Sequence, residues 1–390
     1  MLKLKKIAFV IESLHCGGAE KSLVTLLQNL DYTKYNVSLY LLLTNGEFQK
    51  FIPDEVTVKT ITINKTNFIK QILKTVKFRA LTKLNKLNKK NKYHPAQVFW
   101  KSKNNNFSKI NTLYDVAIAY NQGFATYFVS EKIKARKKIA WLNTDYIKAN
   151  YNINFDYKFY KNFDDVVCVS EENRHSLLKS LNKQQTISTL VIKDIVDDRL
   201  IHQLSKEVEY PFTDKENNKI ILTVGRLADA KGLDLAIQAC HILRQKKYNI
   251  KWYVIGEGPK RKELEHLINK LDISKYFILL GYKENPYPYI KSCNIYTQTS
   301  FFEGLGLTLI EASILQKPIV TTNFPTASKI IEHGRTGLIC DMNADAIANS
   351  IEEYITSPKL VNKFTENLSK QKNNDKVLSL AKVNELLLKN

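Results

Sequence analysis

The chain has 390 residues, 44% of them hydrophobic, which suits two globular domains with buried cores, and it holds no run of about 18 apolar residues of the kind a transmembrane helix needs. The five cysteines (Cys16, Cys168, Cys240, Cys293, Cys340) are scattered and odd in number, which argues against a disulfide framework or a CxxC metal site and fits a reducing compartment. The formal charge is +21, and residues 65–109 hold 13 Lys/Arg and no acid, so the partners to expect are anionic: nucleic acid, anionic lipid or a phosphorylated acceptor.

Residues 1–12 lack the apolar core and cleavage site of a signal peptide and read as a first buried strand. That run ends in Gly17-Gly18-Ala19-Glu20, and Leu23, Leu26, Leu27 and Leu30 then recur at helical spacing. Strand, glycine loop and helix form the opening unit of a doubly wound α/β domain. Residues 37–43, 56–63, 116–120, 138–142 and 165–169 read as further strands, with 191–192 the last of this half. Within the lysine-rich stretch, Ile69, Ile72, Leu73, Val76, Leu81, Leu84 and Leu87 have roughly helical spacing, a basic amphipathic pattern. Two readings stand: a solvated insertion, or a helix facing an anionic membrane. Phe68, Phe78 and Phe99-Trp100 match no RNA or DNA module, so nucleic acid is not expected. The polar stretch 205–218 sets the expected domains at 1–204 and 205–390, with the last helix packing back on the first.

A second alternation follows. Strands are expected over 220–224, 250–255, 276–280, 294–298 and 319–322, and helices over 233–244, 260–271, 305–315 and much of 345–390. This spacing predicts a parallel sheet covered on both faces, whose ligands bind at the carboxyl ends of the strands. Gly225, Gly256 and Gly281 follow three of those strands, and Glu303 lies on the same edge. Seven residues separate Glu303 from Glu311, with Gly304 and Gly306 between them. A helix starting near Gly306 aims free N–H groups at a phosphate, and acids on either side can hold hydroxyls. That is the chemistry of a sugar nucleotide. Arg226 and Lys231 add two cations suited to phosphate, or else lie in a solvated loop. The acids do not read as a glycosidase dyad, because phosphate-binding cations surround them.

Gly225-Arg226 with Lys231-Gly232, then Gly256-Glu257-Gly258, then Glu303 to Glu311 resemble the donor half of retaining GT-B glycosyltransferases of the family-4 type. The resemblance is close over residues 219–340. It is looser in the first half, through Gly17-Gly18-Ala19-Glu20, residues 141–145 and residues 168–171. It implies two Rossmann-like domains facing across a cleft, transfer with retention of configuration, and no essential metal or cofactor beyond the nucleotide sugar. It implies that Arg226 and Lys231 neutralise the diphosphate and stabilise the leaving nucleotide, and that Glu303 contacts the donor sugar. Glu311 would hold the ribose, and backbone N–H groups of Gly304, Leu305, Gly306, Leu307 and Thr308 would meet phosphate or sugar. Gly17 and Gly18 would let the first domain approach the diphosphate, with Gly281, Tyr282 and Lys283 near the base. Asn143 and Asp145 occupy the acceptor or reaction-centre region, Asn143 standing where related chains often carry His. His15 beside the glycine loop is either placed for chemistry or structural. The expected function is a cytoplasmic hexosyltransferase on the inner face of the plasma membrane, using UDP by default and a lipid-linked or surface glycan as acceptor. The rival is a non-catalytic nucleotide-sugar-binding partner subunit.

Overall fold

The computed structural model describes residues 4–15, 17–63, 93–212, 218–371 and 375–389. The amphipathic stretch expected within 65–92 lies outside the described residues. The chain forms two compact units, residues 1–195 with 377–390, and residues 196–376.

In the first unit the strands are β1 Lys5–Ile11, β2 Tyr35–Leu41, β3 Thr57–Thr60, β4 Ile110–Tyr120, β5 Ile133–Leu142, β6 Asp165–Cys168 and β7 Thr189–Val191. They form a parallel sheet ordered β3-β2-β1-β4-β5-β6-β7. Ile7, Ala8, Phe9, Val10 and Ile11 are all fully buried. An uninterrupted apolar run is what a strand needs when helices cover both faces. β3 is cut shorter than the apolar run predicts, because it is the edge strand and its residues face solvent. The order reverses between β1 and β4, the switch point at which doubly wound sheets bind ligands. One side of this sheet is aromatic: Trp100, Phe107, Phe124, Tyr127, Phe128, Phe155 and Phe159 share a core. At the chain's end the Lys5 Nζ reaches the carbonyls of Leu388 (2.7 Å) and Leu387 (3.3 Å), and the Lys137 Nζ that of Leu386 (3.1 Å). Two lysines thus satisfy the orphan carbonyls and negative end of the last helix.

In the second unit β8 Lys219–Val224, β9 Ile250–Ile255, β10 Phe277–Gly281, β11 Ile295–Gln298, β12 Ile319–Thr322 and β13 Leu338–Cys340 form a parallel sheet ordered β10-β9-β8-β11-β12-β13. The three-residue β13 is too short for any periodic pattern to announce it. The helices Leu233–Gln245 and Ala344–Thr356 pack one face, and the helix Leu307–Ile314 packs the other. The division between units falls at 195/196, ahead of the polar stretch. The helix Asp198–Leu204 therefore belongs to the second unit, where Ile201 packs in one core with Leu222, Tyr287 and Leu309. Burying that apolar stripe outweighs the polar composition that follows it.

Candidate functional site

The carboxyl ends of β8, β9, β10 and β11 are laced together by backbone that only glycine permits. Gly256 has φ +145, and a Cβ there would lie 2.0 Å from the Gly225 carbonyl oxygen. Gly232 is left-handed (φ +55), and a Cβ there would lie 2.2 Å from the Thr299 oxygen. Around these contacts Gly225 N–H donates to Ile255, Gly256 N–H to Gly281 and Phe301 N–H to Ala230. The Thr299 hydroxyl closes on the Lys231 carbonyl at 2.9 Å. The loop after β8 is thereby zipped to the loop after β11.

The zipper brings Lys231 to Glu303. The Lys231 Nζ lies 2.5 Å from Glu303 Oε1, with the two side chains 19% and 14% exposed. The same Oε1 accepts from Gln298 Nε2 at 2.9 Å and from the Ser300 hydroxyl at 2.6 Å. Three donors thus converge on one carboxylate oxygen, while among the described residues none donates to Oε2. Charge-assisted bonds of this kind fix a side chain firmly. Sequence reasoning placed Lys231 and Glu303 at one edge but missed that they pair, and missed Gln298 altogether. A lone Gln at a strand end carries no signal until its neighbours are known.

Beside this cluster Gly306 (φ +83) caps the helix Leu307–Ile314, and among the described residues no acceptor takes the N–H of Leu307 or Thr308. These are the amides that a helix start leaves for an anion. Leu305 is buried at the loop's base and Glu311, 2% exposed, lies within the second turn. Arg226 stands exposed immediately after Gly225 and has no ion pair among the described residues. Tyr282 and Lys283 follow β10, Lys283 lying 6.0 Å from the Tyr289 ring centroid.

In the first unit the carboxyl edge is built differently. Gly17 N-caps the helix Gly18–Gln28 in extended backbone, and a Cβ there would meet the Glu20 carboxylate at 2.1 Å. The space beside Gly17 is therefore taken by Glu20. Asn143 follows β5, and its backbone N–H donates to Gln122 Oε1 at 3.1 Å. Both side-chain amide atoms of Asn143 are buried without a hydrogen-bond partner among the described residues. Asp145 is 8% exposed and accepts from the Ser176 hydroxyl at 2.6 Å and the Lys148 N–H at 2.9 Å. Those bonds, both to Oδ1, cap the turn after β5. His15 pairs with Glu47 at 3.1 Å on an exposed surface, a structural role. Deeper in, the Tyr120 hydroxyl, the Ser22 hydroxyl and Asp194 form a buried chain, and burial pushes the Asp194 carboxyl up to about 7. Among the described residues no group of three or more His, Cys, Asp or Glu is arranged to hold a metal, and no helix is long and apolar enough to cross a membrane.

Residues 206–371 match the family model described as Glycosyl transferases group 1. The chain is 25% identical over 215 residues to the poly(ribitol-phosphate) alpha-N-acetylglucosaminyltransferase of Staphylococcus aureus, covering 53% of this chain and 43% of that protein. It is 29% identical over 183 residues to the N-acetylgalactosamine-N,N'-diacetylbacillosaminyl-diphospho-undecaprenol 4-alpha-N-acetylgalactosaminyltransferase of Campylobacter jejuni, covering 43% of this chain and 49% of that one. It therefore spans less than half the length of these curated relatives. In fold it is similar to Anabaena HepE, solved in complex with UDP and glucose, with a TM-score of 0.71 at 17% identity over 99% of this chain and 100% of HepE. Residues 206–371 thus match the glycosyl transferases group 1, and the chain shares with HepE a fold of two Rossmann-like domains.

Proposed function

We propose that the chain is a retaining hexosyltransferase that moves a sugar from a nucleotide sugar, UDP-linked by preference, to a sugar hydroxyl of a lipid-linked or surface glycan. The observation that carries this reading is Glu303, tied by three donors at Oε1 and, among the described residues, open at Oε2, beside the Gly306 helix start and an Arg226 with no ion pair among those residues. Arg226, the helix amides and Lys231 meet the diphosphate, Glu303 meets sugar hydroxyls and Glu311 meets the ribose. As the bond from sugar C1 to the diphosphate oxygen breaks, negative charge gathers on the departing nucleotide. Arg226 and Lys231 stabilise that charge more in the transition state than in the bound donor. The acceptor oxygen bonds to C1, and its proton leaves to the released phosphate. No cofactor beyond the nucleotide sugar takes part.

The choice of UDP is supported by HepE, solved with UDP and glucose. The acceptor class is supported by relatives whose names give a poly(ribitol-phosphate) and an undecaprenol-diphosphate-linked acceptor. The net charge of +21, concentrated in residues 65–109, supports a place on the anionic inner face of the plasma membrane.

Incubation with UDP-glucose, UDP-N-acetylglucosamine or UDP-N-acetylgalactosamine and an undecaprenyl-diphosphate-linked glycan should release UDP, with EDTA without effect. NMR of the product should show the donor's anomeric configuration. Nucleotide-sugar binding with no product on any acceptor would favour the non-catalytic partner subunit. Co-sedimentation with phosphatidylglycerol vesicles should be lost when lysines between 65 and 92 are neutralised; unchanged sedimentation removes the membrane role.

A further inference from the structure

The carboxylate grip on Glu303 has a support that no motif of the chain announces. Gln298, the last residue of β11, is 1% exposed, so its amide must find partners inside the protein. Its Nε2 donates to Glu303 Oε1 at 2.9 Å, and its Oε1 accepts from the Thr308 hydroxyl at 3.0 Å. The carboxylate, which only accepts, fixes the N–H₂ end of the amide toward Glu303 and leaves Oε1 to accept from the Thr308 hydroxyl. Thr308 sits in the first turn of the helix Leu307–Ile314, where the amides of Leu307 and Thr308 have no acceptor among the described residues. One buried glutamine therefore joins the helix that would hold phosphate to the acid that would hold sugar.

We infer that Gln298 is a positioning residue, set by Thr308, that turns Glu303 Oε2 toward the hydroxyls of the donor sugar. This rests on the proposed donor site. Lys231 and Ser300 occupy the same Oε1, but the lysine is a flexible point charge and the serine a single rotor. The glutamine is the rigid member, locked at both ends. Losing it releases the carboxylate without removing its charge, so the cost should fall on sugar recognition rather than on nucleotide binding.

The test is calorimetric binding of UDP and UDP-glucose, and of GDP and GDP-mannose, to wild type and to Gln298→Leu, Gln298→Glu, Thr308→Val and Thr308→Ser. In Gln298→Leu the nucleotide sugar should weaken about tenfold or more, a bond to a charged group, while the bare nucleotide stays within about twofold. Thr308→Val should move the same way by a smaller factor, because the amide keeps its bond to Glu303 but loses the anchor at its other end. Thr308→Ser should restore binding. Gln298→Glu sets two carboxyls side by side, which must share a proton. Its nucleotide-sugar affinity and its thermal midpoint should both fall more steeply with rising pH than those of wild type. Equal losses of nucleotide and nucleotide sugar, or no loss, would overturn the inference. So would a Gln298→Glu protein whose thermal midpoint follows wild type across pH. A wild type that binds no nucleotide or nucleotide sugar brings down the donor-site reading itself, and the inference with it.

Discussion

The carboxyl edges of the two sheets solve the same problem in opposite ways. In the second unit the polar groups are partnered with one another: Lys231 with Glu303, Gln298 with Glu303 and Thr308, Thr299 with Lys231. Left-handed or other positive φ at that edge falls on glycines, Gly232, Gly256, Gly281 and Gly306. In the first unit the edge carries Asn121 at φ +152, a conformation glycine would take more cheaply, and an Asn143 amide with no partner among the described residues. A finished polar cluster is a site that exists before its ligand. The first edge instead carries backbone strain and a buried amide with no partner among the described residues, and whether that amide serves a ligand is a question for mutation.

The sharpest way to break the contrast is to remove a member of the finished cluster. Lys231→Ala leaves the Glu303 carboxylate largely buried with its cation gone. We expect transfer to fall about 10²–10³-fold and stability by about 3 kcal/mol. Arg226→Ala touches an exposed cation with no pair among the described residues. Its loss of transfer should be similar, but stability should change by less than about 0.5 kcal/mol. Unfolding curves and initial rates on both variants decide this. An Arg226→Ala protein with normal turnover would remove Arg226 from the donor site, and a Lys231→Ala protein of normal stability would show that the ion pair holds nothing.

The same contrast explains what was legible in the sequence. At Gly256 a Cβ would strike the Gly225 carbonyl, at Gly281 a positive φ disfavours it, and at Gly225 it would crowd the Lys231 side chain at 3.1 Å. Glycine therefore survives as a written signal. Glu303 and Glu311 stood out as acids around a helix start. Gln298 and Gln122 did not, since their roles come from partners 5 and 21 residues away. The bonds from Ser176 and Lys148 to Asp145 were not legible either, because an acid after a strand looks the same whether or not it caps a turn. All strands of the second unit but β13 could be read closely because each is a short apolar run, three of them closed by Gly225, Gly256 and Gly281. In the first unit the domain boundary was set late, because the helix Asp198–Leu204 has the composition of a linker and the burial of a core element.

A smaller effect probes the buried chain beneath the first edge. Asp194 lies 6% exposed, bonded to Ser22, and burial raises its pKa from 3.8 to about 7. A raised folded pKa means that the folded state holds the proton where the unfolded chain has lost it. The stability linked to that proton is full below about pH 4 and is lost as pH rises through 7. Asp156 follows the same sign, raised to about 6 despite bonds from Gln97, Tyr127 and Tyr146. Asp194→Asn should therefore raise the thermal midpoint at pH 8 relative to wild type and flatten its fall between pH 5 and 8, an effect on the order of a few kcal/mol. A fall of the same slope in the variant would assign the pH dependence elsewhere.

The smallest expected effect separates a reserved amide from a badly packed one. A buried carboxamide with neither end bonded costs about 1–3 kcal/mol in the free protein, and leucine of similar volume removes that cost. Asn143→Leu should therefore raise stability by about 1 kcal/mol in urea titrations while lowering transfer. The two signs must appear together. Higher stability with unchanged transfer would make Asn143 a packing defect. Lower stability would mean that the amide already has its partner inside the protein, and the first edge would then be as finished as the second. Only a gain in one and a loss in the other shows an amide held unpaired for a substrate that supplies both the donor and the acceptor it lacks.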